Sequence, residues 1–171
     1  MCVQNHPEVQ QWALEGGCLP PLLALCDASN PACLNKAVLA LGCLVRNHPS
    51  AEQAFRAQGG GPTLCQLAAS PHHTVATKAM RLLAWICRPQ DAAGLLDVGV
   101  LPVALKAVQQ EEEELTQLRE AALTLLTALA SATPLTQCDQ AVELRSVVTA
   151  RLAGARAASG ACGFLSLSTD S

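Results

Sequence analysis

Nine cysteines, four histidines, a run of four glutamates and a triplet of glycines are the residues of this 171-residue chain whose types could do chemistry. Thiolates hold zinc or attack electrophiles. Yet no two of Cys2, Cys18, Cys26, Cys33, Cys43, Cys65, Cys87, Cys138 and Cys162 have the C-x-x-C spacing of a zinc site, and most fall where a small apolar residue would serve. Their odd number argues against a disulfide framework, and the chain is long enough to fold without one, so they read as reduced cytosolic thiols. His72-His73 follows Ser70-Pro71 in a polar link with no third ligand near in sequence, which makes it a solvated turn pair. His6 and His48 each precede a proline in the same tripeptide, a pattern that points to helix starts. Gly59 to Gly61 has no strand before it and no Lys-Ser/Thr after it, so it is a helix stop and not a phosphate cradle. Glu111 to Glu114 is a solvated link that sets negative charge near a helix N-terminus, where the dipole favours it. No nucleophile, base and orienting group converge. The expectation is a protein that is not an enzyme and holds no metal or cofactor.

The elements that carry these residues are helical by composition. Half of the residues are apolar but only 2% are aromatic, and the apolar content is mostly Ala and Leu, which favour helices. An all-α, soluble fold with a sizeable core follows. The net charge of -3 is too small to suggest nucleic acid or an anionic membrane as partner. The longest apolar stretch, Ala37 to Val45, falls far short of the roughly 20 residues that a spanning helix needs. The start, MCVQNHPEVQ, lacks the basic flank and apolar core of a secretory signal, and the end, STDS, is no retention signal, so the cytoplasm is expected before the endoplasmic reticulum lumen.

A repeat organises the chain. Asn5-His6-Pro7 returns as Asn47-His48-Pro49, 42 residues later. Pro20 returns as Pro62 and Pro102, and Lys36-Ala37 returns as Lys78-Ala79 and then Glu120-Ala121. A period of about 42 residues is that of armadillo and HEAT units, two or three helices stacked on their neighbours. Pro7, Pro49 and Pro89 suit the first turn of a short helix, where the missing amide donor is unpaired anyway. That helix ends at Gly16-Gly17, Gly59 to Gly61 or Gly99. A second helix begins around Pro20, Pro62 and Pro102. Polar links, DASNP, SPHH and QQEEEE, then lead into a long third helix.

Periodicity divides the third helix into two stripes. Ala37, Ala40, Leu41, Leu44 and Val45, and one repeat on Ala79, Leu82, Leu83 and Ile86, are expected core. The other stripe reads Lys36, Leu39, Cys43 and Arg46, then Lys78, Arg81, Trp85 and Arg88, then Glu120, Leu123 and Thr127. Adjacent third helices would set these along one concave surface.

The expected organisation is an armadillo-like right-handed solenoid over 1–153. It comprises a partial first repeat at 1–4, repeats at about 5–46, 47–88 and 89–130, and a C-terminal helix at about 134–153; a flexible tail at 154–171 follows. The register sets Cys2 to Asn5 at the end of a third helix, so a preceding repeat is expected to be missing.

The phrase NHPSAEQAFRAQGG, preceded by NKAVLALGCLVR, resembles the armadillo-type nucleotide-exchange factors of heat-shock protein 70, the Hsp70-binding-protein family, and the resemblance extends over roughly residues 4 to 130. It implies a concave surface that clasps one lobe of the chaperone's ATPase domain and speeds ADP release. Carried onto the aligned stripe, that role falls to Lys36, Leu39, Cys43, Arg46, Lys78, Arg81, Trp85 and Arg88. Trp and Arg are the types that most often dominate interfaces. Peptide-binding armadillo proteins carry an asparagine ladder where this chain has Cys43, Trp85 and Thr127, which disfavours extended-peptide capture. The protein is expected to act as a monomer. The competing expectation is an armadillo scaffold that binds an unrelated protein through the same groove.

Overall fold

Proline and glycine punctuation divides the chain into short helices, and a computed structural model describes residues 6–110 and 112–132. The expected partial repeat at 1–4, the helix at 134–153 and the tail at 154–171 lie outside the described residues. The described ones all belong to one compact unit.

Nine α-helices follow in order among the described residues: α1 (Pro7–Glu15), α2 (Leu19–Ala24), α3 (Pro31–Val45), α4 (Pro49–Ala57), α5 (Gly60–Ala68), α6 (His73–Ile86), α7 (Pro89–Asp97), α8 (Val100–Val108) and α9 (Thr116–Ala132). Short 3-10 turns extend α2 at Leu25–Asp27 and precede α9 at Glu113–Leu115. Pro7, Pro31, Pro49 and Pro89 each open a helix, where φ is already suitable and no amide donor is lost. Asn30 Oδ1 accepts from the Ala32 amide at 2.9 Å, and His48 Nδ1 accepts from the Ala51 amide at 3.2 Å, so both cap helix starts. His6 stands at the equivalent place before α1 without a side-chain cap.

Gly17, Gly59 and Gly99 break the chain between the first and second helix of each triplet at φ of 71°, 77° and 87°, a region in which a Cβ is strained. Gly60 is needed for a different reason: the Phe55 ring occupies the space a side chain there would take. The second helices begin one or two residues ahead of their prolines, because the glycine turn already sets the new axis.

The third helices form the core. α6 packs against both α3 and α9, while α5 rests on α6 and α8 on α9. Leu34, Ala37, Val38, Leu41, Leu44 and Val45 are buried on α3, as are Ala79, Leu82, Leu83 and Ile86 on α6. Ala40, expected in the core, is half-buried. At about 100° per residue it lies at the edge of the arc centred between Ala37 and Leu41. The result is an all-α armadillo-like stack, and no helix among the described residues is long and apolar enough to cross a membrane.

Candidate functional site

On α3 the residues opposite the buried arc are Lys36, Leu39 and Cys43, with Arg46 at the C-cap. Lys36 and Leu39 are exposed, Leu39 to 42% although it is fully apolar. On α6 the same face presents half-buried Lys78, exposed Arg81 and half-buried Trp85. Asn35 Nδ2 donates to Thr74 Oγ1 at 3.0 Å, tying the two helices together at the edge of this face.

Two adjoining hollows open there. The smaller, about 260 Å³, is lined by Val38, Leu39, Gly42, Cys43, Arg46, Lys78, Arg81 and Leu82. The larger, about 900 Å³, shares Lys78 and Arg81 and adds Lys36, Asn35, His73 and Thr74, closing against Glu113, Glu114 and Leu115 at the start of α9. Six of the eight sequence-derived residues therefore converge: Lys36, Leu39, Cys43, Arg46, Lys78 and Arg81. Among the described residues Lys36, Arg46, Lys78 and Arg81 make no ion pair.

Trp85 and Arg88 line neither hollow. Helix α6 ends at Ile86, and Cys87 and Arg88 are extended (φ -64°, ψ 108° and φ -111°, ψ 162°), so the helical period does not carry Arg88 onto the α6 face. Instead its guanidinium stands 5.8 Å from the centre of the Trp85 ring and 3.6 Å from Glu52. That geometry satisfies a cation–π pair.

Charge at this end of α6 belongs to a cluster that sequence reasoning missed. Arg56 reaches Glu52 at 3.3 Å, Asp91 at 3.0 Å and the Ile86 carbonyl at 3.3 Å, so one side chain ties α4, α6 and α7. The Arg56 to Glu52 spacing of four on a helix was the only local signal. The equivalent end of α3 is held by fully buried Gln10, whose Nε2 donates to the carbonyls of Cys43, Leu44 and Arg46 at 3.0, 3.1 and 2.8 Å.

Burial pushes the Cys26, Cys65 and Cys87 thiols up to about 11, with Asp27 and Cys33 adding to the effect at Cys26 and Asp91 at Cys87. Thiols so raised are protonated at neutral pH and are poor nucleophiles. His72 and His73 are exposed at the start of α6.

Stacked helix triplets with a lined groove along successive third helices define an armadillo-class protein. A designed armadillo repeat protein in complex with the peptide (KR)4 superposes with a TM-score of 0.72 at 21% identity, over 83% of this chain and 59% of that one. An engineered protein superposes with a TM-score of 0.74 at 22% identity, over 86% of this chain and 36% of that one. At such identities the likeness is one of fold, and the chain spans less than two thirds of either structure. Among curated proteins none matches. The family model described as SIL1/FES1/HPBP1 C-terminal domain matches residues 1–90, and the chain belongs to that family, which is one of armadillo-like Hsp70 nucleotide-exchange factors.

Proposed function

We propose that this protein is a protein-binding regulator that clasps the ATPase domain of an Hsp70 chaperone and promotes ADP release. The observation that carries the reading is the family match over residues 1–90, a span that includes both α3 and α6, whose outer faces wall the smaller hollow. Lys36, Leu39, Cys43, Arg46, Lys78 and Arg81 make the contact in this reading. Trp85 and Arg88 act at its border, as a stacked pair beside the groove.

The mechanism is thermodynamic linkage. A groove complementary to an ATPase conformation that holds nucleotide poorly favours that conformation, and nucleotide must then weaken the groove's binding by the same factor. Each tenfold loss of ADP affinity requires about 1.4 kcal/mol of preference between the two conformations. Such a role is non-catalytic and needs no cofactor. In this reading the protein works as a monomer in the cytoplasm, with neither nucleic acid nor membrane as partner.

The test is the release rate of fluorescent ADP from an Hsp70 ATPase domain, with and without the folded chain. Faster release, reduced by Arg81→Ala, is expected. Unchanged release, together with recovery of some other protein in a pull-down that contains no chaperone, would favour a scaffold for an unrelated partner.

A further inference from the structure

The two hollows differ in charge. The larger sets Lys36, Lys78 and Arg81 against Glu113 and Glu114, so its field is mixed. The smaller has three cations, Arg46, Lys78 and Arg81, and no acid among its described lining residues. Its floor is apolar and small: Gly42 and Leu82 leave room beneath the Arg46 side chain, whose Nε would lie 3.9 Å from a Cβ added at Gly42. That Nε is buried and has no hydrogen-bond partner.

A buried guanidinium donor without an acceptor is a standing free-energy cost, and three like charges around so small a space repel one another. The chain as a whole is acidic, with net charge -3, so this local reversal of sign is not a by-product of composition. An oxyanion entering the hollow would stand among Arg46, Lys78 and Arg81 and relieve their mutual repulsion. Apolar Leu39 at the rim would exclude water from the pair.

We infer that the hollow between α3 and α6 is a carboxylate subsite, which receives an Asp or Glu side chain from the surface of the partner protein. The inference rests on the proposed chaperone binding only for the identity of the partner; the subsite itself stands on the three cations and on the lack of an acid among its described lining residues.

The test measures binding of the full chain to the Hsp70 ATPase domain across a series of NaCl concentrations, for the wild type and for Arg46→Gln, Lys78→Gln and Arg81→Gln. Lys106→Gln, on the exposed face of α8, removes the same charge outside the hollow. Each hollow variant should bind roughly fivefold to tenfold more weakly at low salt and show a flatter salt dependence, while Lys106→Gln behaves as the wild type. Arg81→Lys, which keeps the charge, should recover most of the loss. Hollow variants that bind the domain with unchanged affinity and salt dependence would overturn the subsite and leave the exchange function standing. If the wild type does not bind the domain at all, the exchange reading falls, and a fluorescent polyglutamate peptide decides the subsite alone. Capture of the peptide that is lost in Arg81→Gln sustains it; no capture, or capture that Arg81→Gln leaves unchanged, overturns it.

Discussion

The ends of α3 and α6 occupy equivalent places in successive repeats, and they are held by opposite chemistry. At α3 a neutral amide, Gln10, gives its Nε2 hydrogens to three terminal carbonyls and is fully buried. At α6 the residue 42 positions on is Glu52, a buried acid that requires a cation, and Arg56 both supplies it and caps the Ile86 carbonyl. Asp91 and Arg88 then complete a cluster of four charges that reaches into α7 and the Trp85 ring. Unsatisfied carbonyls at a helix end must find donors. A neutral donor does this from within its own repeat, whereas the charged one also reaches Asp91 of the next repeat, so the capping residue of the α6 junction adds a tie to α7 that Gln10 does not make to α4.

The sharpest way to break this comparison is to exchange the two solutions. Gln10→Glu faces a carboxylate toward three carbonyl oxygens in a dry site and should destabilise the chain by about 4 kcal/mol, read as a fall in the urea midpoint. Arg56→Ala leaves Glu52 with only the more exposed Arg88, at 3.6 Å, and uncaps the end of α6. It should cost about 2–3 kcal/mol, and the loss should shrink in high salt, as that of Gln10→Ala should not. A salt-independent Arg56→Ala would mean that capping, and not charge, holds the second junction.

Alkali separates the junctions further, because Cys87 lies beside Asp91 and its thiol is pushed up to about 11, chiefly by burial. The folded state keeps its proton while the unfolded thiol ionises above the ordinary value of 9.0, so this stability is fully present below pH 9.0 and is lost as pH rises toward about 11. Cys26 and Cys65 act in the same sense. Cys87→Ser should therefore flatten part of the stability loss between those limits, as a urea midpoint followed from pH 8 to about 11 would show. The smallest effect is expected at Gly42, one turn before the first junction. A Cβ there meets Arg46 Nε at 3.9 Å and Leu82 Cδ1 at 4.0 Å, ordinary contacts, so Gly42→Ala should raise stability by about 0.5–1 kcal/mol through helix propensity.

Much of the fold is legible in the sequence, since Pro7, Pro49 and Pro89, and Gly17, Gly59 and Gly99, act locally through φ and the missing amide. The opposed stripes of α3 and α6 are equally local, set by a period of 3.6 residues. What escaped were the junctions. Gln10 meets Cys43, Leu44 and Arg46 across 33 to 36 residues, and nothing near Gln10 marks it as a cap. Periodicity places Arg88 last in the α6 stripe and gives no warning that the helix stops at Ile86. Pro89 was the available sign: the residue before a proline is driven out of the helical region, and Arg88 is extended.

Exposed apolar side chains offer the most direct measurement of where a partner sits. Leu39 lines the smaller hollow, while Trp12 on α1, 67% exposed, lines neither of the hollows beside α3 and α6. Hydroxyl-radical footprinting of the chain, free and bound to an Hsp70 ATPase domain, should show Leu39 and Arg81 protected and Trp12 modified as before. Protection of Trp12 with Leu39 and Arg81 unchanged would contradict binding through the groove.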